Sequence, residues 1–217
     1  YEVLLNLRWG DIHSPLSSQE ADLYPRPLHF VSSSPPQLRK VLEEKLASDG
    51  LDWSSDTFKN QAYNLKKARF DLLKQQVAYK SASILNIMNH YEGKQSFFMM
   101  GDNAESDAYI YLGIKLLVEG QLSPLGYKKY LEIAHVEEDV LDDFAKILAV
   151  PLNKAIPVIL IRNLKNYELP LKPPLTDPIT SFGNYYEAAL YFLLQGFLDP
   201  RCLWSLTRSF HNFYGDR

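Results

Sequence analysis

Apolar positions in this chain follow two rhythms, short unbroken runs and longer stretches spaced three or four apart, and the two alternate along its length. Unbroken runs predict buried strands, and the wider spacing predicts helices. Residues 2–7 (EVLLNL) are the first such run, a short buried strand that turns polar at 8–11. Residues 12–27, with three prolines and several serines, read as loop with one helical turn at 18–23. Residues 28–32 (LHFVS) form a second strand ending in hydroxyls. The helix after it has a legible start: Ser34 as N-cap, Pro35 at the first helical position and Gln37 completing a capping box. Leu38, Val41, Leu42 and Leu46 share one face, and Gly50 ends the helix.

Residues 51–67 are mixed, with 56–61 either a short edge strand or loop. Phe70, Leu73 and Val77, then Ile84, Ile87, Met88 and Tyr91, predict two helices broken near Tyr79. Residues 97–100 (FFMM) predict a buried strand, followed by a Gly101-Asp102 turn and an acidic loop with Asp102, Glu105 and Asp107. The spacing of Ile110, Ile114, Leu117 and Val118 carries a helix to Gly120, and residues 124–148 add one or two acidic amphipathic helices. Residues 155–164 (AIPVILIRNL) are rich in β-branched side chains and predict a strand with Arg162 near its end. Residues 170–178 (PLKPPLTDP) read as a rigid linker. Residues 185–198 form a helix apolar on most of its circumference, more suited to a core or dimer surface than to lipid, because it lacks a basic face.

Strands ending near Leu7, Ser32, Met100 and Arg162, with helices between them, predict an open α/β sheet. Ligands in such sheets lie outside the carboxyl ends of the strands, which puts Ser32, Asp102, Asp107 and Arg162 at one edge. Asp102, Glu105 and Asp107 are hard oxygen donors of the kind that suit Mg²⁺, although Asp and Ser in such a turn also serve as helix caps. Ser32 precedes a helix N-terminus, where backbone N–H groups and the dipole favour phosphate; an ordinary strand-to-helix connection looks the same in sequence. Lys80 is a site residue only if it points back toward the acidic loop rather than into solvent. Arg162 offers a bidentate phosphate contact or a salt-bridged rim.

Composition narrows the classes. The 217 residues are 46% hydrophobic and 13% aromatic, enough for a sizeable core. A net charge of −3 and a pI near 6.0 give no global attraction to nucleic acid. The single cysteine, Cys202, excludes an internal disulfide and a cysteine-rich metal site. The five histidines are dispersed, so nothing suggests zinc. No apolar run is long enough to span a membrane. The compartment is cytoplasmic by default; the chain begins at Tyr1 rather than methionine, which leaves an upstream targeting segment open.

LHFVSS with Ser32, then Tyr79-Lys80, then GDNAESD occur in an order that resembles motifs II, III and IV of the haloacid dehalogenase (HAD) superfamily. More narrowly, LHFVSSSPPQL, GDNAESDAYIY and VILIRNL look like the catalytic domain of the actin-patch type phosphatidate phosphatases and their bacterial relatives, over residues 28–164. The resemblance implies a HAD-like, Rossmannoid three-layer α/β fold with a mainly parallel sheet. Residues 1–169 would form that domain, with 117–148 as a helical insertion, 170–178 as a proline-rich linker and 179–217 as a C-terminal helical extension on the same domain. It also implies Mg²⁺-dependent hydrolysis of a phosphate monoester through an aspartyl-phosphate. Ser32 would hold phosphoryl oxygens with Ser33, Ser34 and Arg162 beside it, Lys80 would neutralise nucleophile and phosphate, and Asp102 with Asp107 would hold the metal. Ser32, Lys80 and Asp102 should then converge on one cleft.

The departure is at motif I. The superfamily's Asp-x-Asp-x-Thr is absent from these residues, and the nearest alignment puts Asn6 and Arg8 at the nucleophile and acid/base positions. An amide cannot replace the carboxylate nucleophile, and a guanidinium does not shuttle protons near neutrality. Two functions follow from the resemblance. One is a phosphatase acting on a phospholipid headgroup or a phosphorylated small molecule, with its motif I outside the sequence. The other is a catalytically silent relative acting as a phosphate-ligand binding or interaction module; without a motif I aspartate the Mg²⁺ site is expected to be weak or incomplete.

Overall fold

In chain order the elements of the computed structural model are α1 (Glu2–Trp9), β1 (His29–Ser32), a 3-10 turn (Pro36–Leu38), α2 (Arg39–Ser48), β2 (Ser55–Phe58) and α3 (Asp71–His90). They continue with β3 (Phe98–Asp102), α4 (Asp107–Val118), α5 (Pro124–Ile133), α6 (Glu138–Leu148), β4 (Val158–Arg162), β5 (Ile179–Phe182), α7 (Tyr185–Leu194) and α8 (Pro200–Tyr214). The structure describes residues 2–9, 26–58, 71–91, 97–136, 138–149, 157–169, 171–172 and 174–214. Expectations for the 12–25 loop, its helical turn, and residues 59–70 and 150–156 lie outside them.

The fold is mixed α/β and Rossmann-like, and β4 explains why. Its Ile159, Leu160 and Ile161 are all fully buried, the unbroken pattern of a parallel strand covered on both faces. β3 runs parallel to it from Phe98 opposite Val158 to Asp102 opposite Arg162, and β5 follows in the order β3-β4-β5. Met99, Ile159 and Ile161 join one core with Val77, Leu85, Ile110, Ile114, Tyr127, Leu141 and Phe144. Each fully buried side chain of this size contributes about 1.5–3 kcal/mol. Helices α5 and α6 supply Tyr127, Leu131, Leu141 and Phe144 to this same core.

Four sequence expectations change. Residues 2–9 form helix α1, not a strand: Val3 and Arg8 are buried and Leu4 and Leu7 half-buried, a one-sided spacing that only a helix gives. A short apolar run is ambiguous between the two states, and packing against α7 and α8 decides it. With residues 2–9 helical, the described strand that pairs with β1 is β2, so the expected single sheet becomes a pair and a triplet. α3 is one continuous helix through Tyr79. Its apolar stripe is interrupted by the buried polar residues Gln76 and Lys80, whereas the helix itself is not. The helix after β1 starts late, because Pro36 disfavours helical backbone at Pro35, and the expected Ser34 box is replaced by a 3-10 turn with no side-chain cap on α2. α2 buries none of its residues, and Leu38, Val41 and Leu42 are exposed.

The chain divides into two compact units, one of Tyr1–Phe30, Pro36–Thr57 and Phe182–Arg217, the other of Val31–Pro35 and Phe58–Ser181. In the first, α1 packs on α7 and α8, around Ala188, Ala189, Phe192 and Cys202. α7 begins with a reciprocal cap: Asn184 accepts from the N–H groups of Tyr186 and Glu187, and Glu187 accepts from Gly183. In the second, residues of the proline-rich passage are tied down, since Leu171 packs on the core and turns run through 174–178. Among the described residues no helix is long and apolar enough to cross a membrane.

Candidate functional site

The site of most chemical consequence lies where β3 ends and α4 begins. Gly101 is the next-to-last residue of β3, and its role is close approach rather than a left-handed turn. A Cβ there would lie 2.6 Å from the Asp107 Cβ and overlap its carboxylate. The missing side chain therefore lets the first residue of α4 fold back against the strand. Asp102 closes the strand and accepts from the Ala104 N–H at 2.9 Å, which shapes the bend that follows. Ser106 caps α4 by position only, without a side-chain bond. Asp107 and Glu105 are thus not spent on capping; both turn to Lys80.

Lys80 projects from the middle of α3, 4% exposed. Its Nζ donates to Asp107 Oδ1 at 2.6 Å and to Glu105 Oε2 at 2.7 Å. Gln76, one turn earlier on the same face, donates to the same Glu105 oxygen. Tyr111 of α4 is buried, and its hydroxyl donates to the Met100 carbonyl at 3.1 Å. Asn103, also buried, accepts from the Leu164 N–H and donates to the Tyr167 carbonyl, both at 2.8 Å, so it fastens the loop after β4 to the end of β3.

Three carboxylates gather here: the Lys80 ammonium binds Glu105 and Asp107, and Asp102 acts on Asp107 from the end of β3. Burial pushes the Asp107 carboxyl upward, Lys80 offsets part of this, and the Glu105 and Asp102 carboxylates push it up again. Burial disfavours the Lys80 ammonium, but the Asp107 and Glu105 carboxylates outweigh that and hold it above its ordinary value. Tyr111 is driven well above its ordinary range, by burial first and then by the same three carboxylates, so it stays protonated. Among the described residues no group of three or more His, Cys, Asp or Glu is arranged to enclose a metal ion. The donor set still fits Mg²⁺ in its usual mode, which takes one or two carboxylates and fills its remaining positions with water and substrate phosphate.

The expected residues are distributed as follows. Lys80 and Asp107 are in direct contact, Glu105 joins them, and Asp102 lies within electrostatic reach. Arg162 stands opposite Asp102 in the β3–β4 register, and its carbonyl accepts from Asn103 at 3.1 Å. Ser32, Ser33 and Ser34 belong to the same compact unit as Lys80 and Asp102. There the Ser32 hydroxyl accepts from the Ser34 N–H at 3.1 Å, and the Ser33 hydroxyl is buried with no partner among the described residues.

Asn6 and Arg8 do not occupy a strand end, because both lie in α1. Arg8 is engaged by Asp52 through two bonds of 2.7 Å and by the Arg26 carbonyl at 2.7 Å, a clamp within the first unit that leaves it no acid/base role. Sequence inspection missed Gln76, Asn103 and Tyr111. The available signal was the polar break in the α3 stripe, with Gln76 and Lys80 four residues apart.

The family model described as the phosphatidate phosphatase APP1 catalytic domain matches residues 11–123, more than half of the 217. The matched segment contains Ser32, Lys80, Asp102 and Asp107 and excludes Asn6, Arg8 and Arg162. No curated protein and no solved structure matches the chain.

Proposed function

The chain belongs to the family of the phosphatidate phosphatase APP1 catalytic domain, and on that basis we propose that Lys80, Asp102 and Asp107 are the phosphate-and-metal half of a phosphatase-type site. One observation carries this: a buried ammonium beside a parallel strand's carboxyl end, bonded to the Glu105 and Asp107 carboxylates, with Asp102 within electrostatic reach of Asp107. A divalent cation would relieve the negative excess, with Asp102 and Asp107 as its ligands. Bound there, Mg²⁺ would supply Lewis-acid stabilisation of phosphoryl oxygens. Lys80 neutralises ligand charge, Asp107 fixes Lys80, Gly101 admits Asp107, and Asn103 keeps the loop after β4 at the site's edge. The buried Ser33 hydroxyl, which has no partner among the described residues, is suited to a remaining phosphoryl oxygen.

The ligand class is a phosphate monoester, a phospholipid headgroup of the phosphatidate type or a small molecule that shares its terminal phosphate. Turnover is a separate matter. The 217 residues contain no Asp-x-Asp-x-Thr, and positioning without a nucleophile leaves only slow attack by water. These residues therefore bind phosphate ligands in their own right, and hydrolysis needs a motif I carboxylate joined to them. The test is phosphate release from an aryl phosphate and from phosphatidate with Mg²⁺, for this chain and for a version extended by an Asp-x-Asp-x-Thr strand. The expected result is binding without turnover in the first and turnover in the second, abolished by Asp102→Asn. Mg²⁺-dependent turnover by these residues alone would overturn the assignment of the nucleophile.

A further inference from the structure

The two carboxylates on Lys80 differ in how they are held. Asp107 opens α4, is 10% exposed and is pressed against Gly101, so it has nowhere to go. Glu105 sits on the bend at 103–106, and its side chain is 46% exposed. No regular element fixes it, and among the described residues the Lys80 and Gln76 side chains are what restrain its carboxylate. Its oxygen lies 2.7 Å from the ammonium, where an oxygen of a bound phosphate would have to be.

We propose that Glu105 is an internal competitor for phosphate at Lys80, a carboxylate on a bend that occupies the ammonium until a phosphate ligand displaces it. The idea rests on Lys80 being the phosphate-binding cation. Its chemical sense lies in the charge count. A phosphate dianion arriving beside Asp102, Glu105 and Asp107 meets strong repulsion, and departure of the one exposed carboxylate removes part of it without disturbing the buried Lys80–Asp107 pair. Gln76 is the positioning residue, since its amide donates to the Glu105 oxygen from one turn away on α3 and holds the competitor in place. The site then favours ligands whose phosphate carries two charges over diesters or carboxylates, because a weaker anion does not outcompete Glu105.

Isothermal titration calorimetry with inorganic phosphate and Mg²⁺, on the whole chain, tests this. E105Q removes the charge and keeps the shape, and it should tighten phosphate binding about fivefold, the worth of a partly exposed ion pair. Q76L should tighten it by a smaller factor in the same direction. K80Q should abolish binding alone and in the E105Q background, and the double variant, with its better charge balance, preserves the test should K80Q alone fail to fold. E105A repeats the measurement with the carboxylate removed outright. Unchanged or weaker binding in E105Q, with K80Q still abolishing it, would overturn the competitor role and leave the Lys80 assignment standing. Binding indifferent to K80Q, or absent from every variant, would overturn the assignment and the competitor role together.

Discussion

Two buried cations, Arg8 and Lys80, look alike by exposure and differ in every other respect. Arg8, 7% exposed, holds the Asp52 carboxylate in a bidentate contact, and the Arg26 carbonyl takes a further N–H. One cation meets one anion in that contact, and the Asp52 partner is itself about half exposed. Lys80, 4% exposed, binds two carboxylates, Glu105 and the buried Asp107 of α4's first turn, and Asp102 adds its charge beside Asp107. A structural clamp satisfies a charge with geometry and stops. A binding site leaves a surplus that a ligand can answer. The lesson is that burial of a charged residue identifies a constraint, and only the balance of its surroundings separates a fold constraint from a chemical one.

The sharpest way to break the comparison is to neutralise each cation. Lys80→Gln leaves Asp107 buried and uncompensated, so it should lower stability by about 3 kcal/mol in urea unfolding and also abolish phosphate binding. Arg8→Met should cost about 2 kcal/mol, less because Asp52 can rehydrate, and leave phosphate binding unchanged. Equal loss of binding in both variants would erase the distinction.

Gly101→Ala probes the same site through packing. The new Cβ collides with Asp107, and an overpacking cost of about 1–2 kcal/mol should appear together with weaker phosphate binding. A variant that is destabilised but binds normally would show that Asp107 does not fix Lys80.

Away from the site, Tyr109 and Tyr130 hold α4 to α5 by a reciprocal lock, each hydroxyl donating to the other's carbonyl, at 2.5 and 2.7 Å, with rings stacked at 4.1 Å. Burial raises Tyr109 to about 12 from its ordinary 10.0. The folded state holds that proton more tightly, so its stabilisation is complete below pH 10 and is lost as pH rises toward 12. Absorbance at 295 nm should show phenol ionisation delayed in the folded chain, with Tyr109→Phe removing one late-titrating group.

The smallest effect is at the start of α8. Arg201 lowers Asp199 to about 2, through its side-chain bond first and its backbone N–H second. That stabilisation is present above the ordinary carboxylate value of 3.8 and is lost as pH falls toward 2. The pair is exposed, so Asp199→Asn should shift acid unfolding only slightly, and a large shift would contradict the view that surface pairs matter little.

What the sequence determined by itself was local chemistry: the unbroken apolar runs of β3 and β4, the glycine and acids between β3 and α4, and the spacing of α4. Those features are set by neighbours within a few residues, and they carried Asp102 and Asp107 as candidates, while Lys80 came with the family resemblance. Tertiary structure decided what local pattern leaves open. The apolar run at 2–7 suits strand or helix equally, and contact with α7 and α8 made it a helix, which put Asn6 and Arg8 in α1 rather than at a strand end. The polar interruptions at Gln76 and Lys80 look like a helix break in sequence, and only the acidic bend packed against α3 shows them to be buried and paired. Gly101 is a turn residue by composition and a clearance for Asp107 by packing, because what a missing side chain makes room for lies elsewhere in the chain.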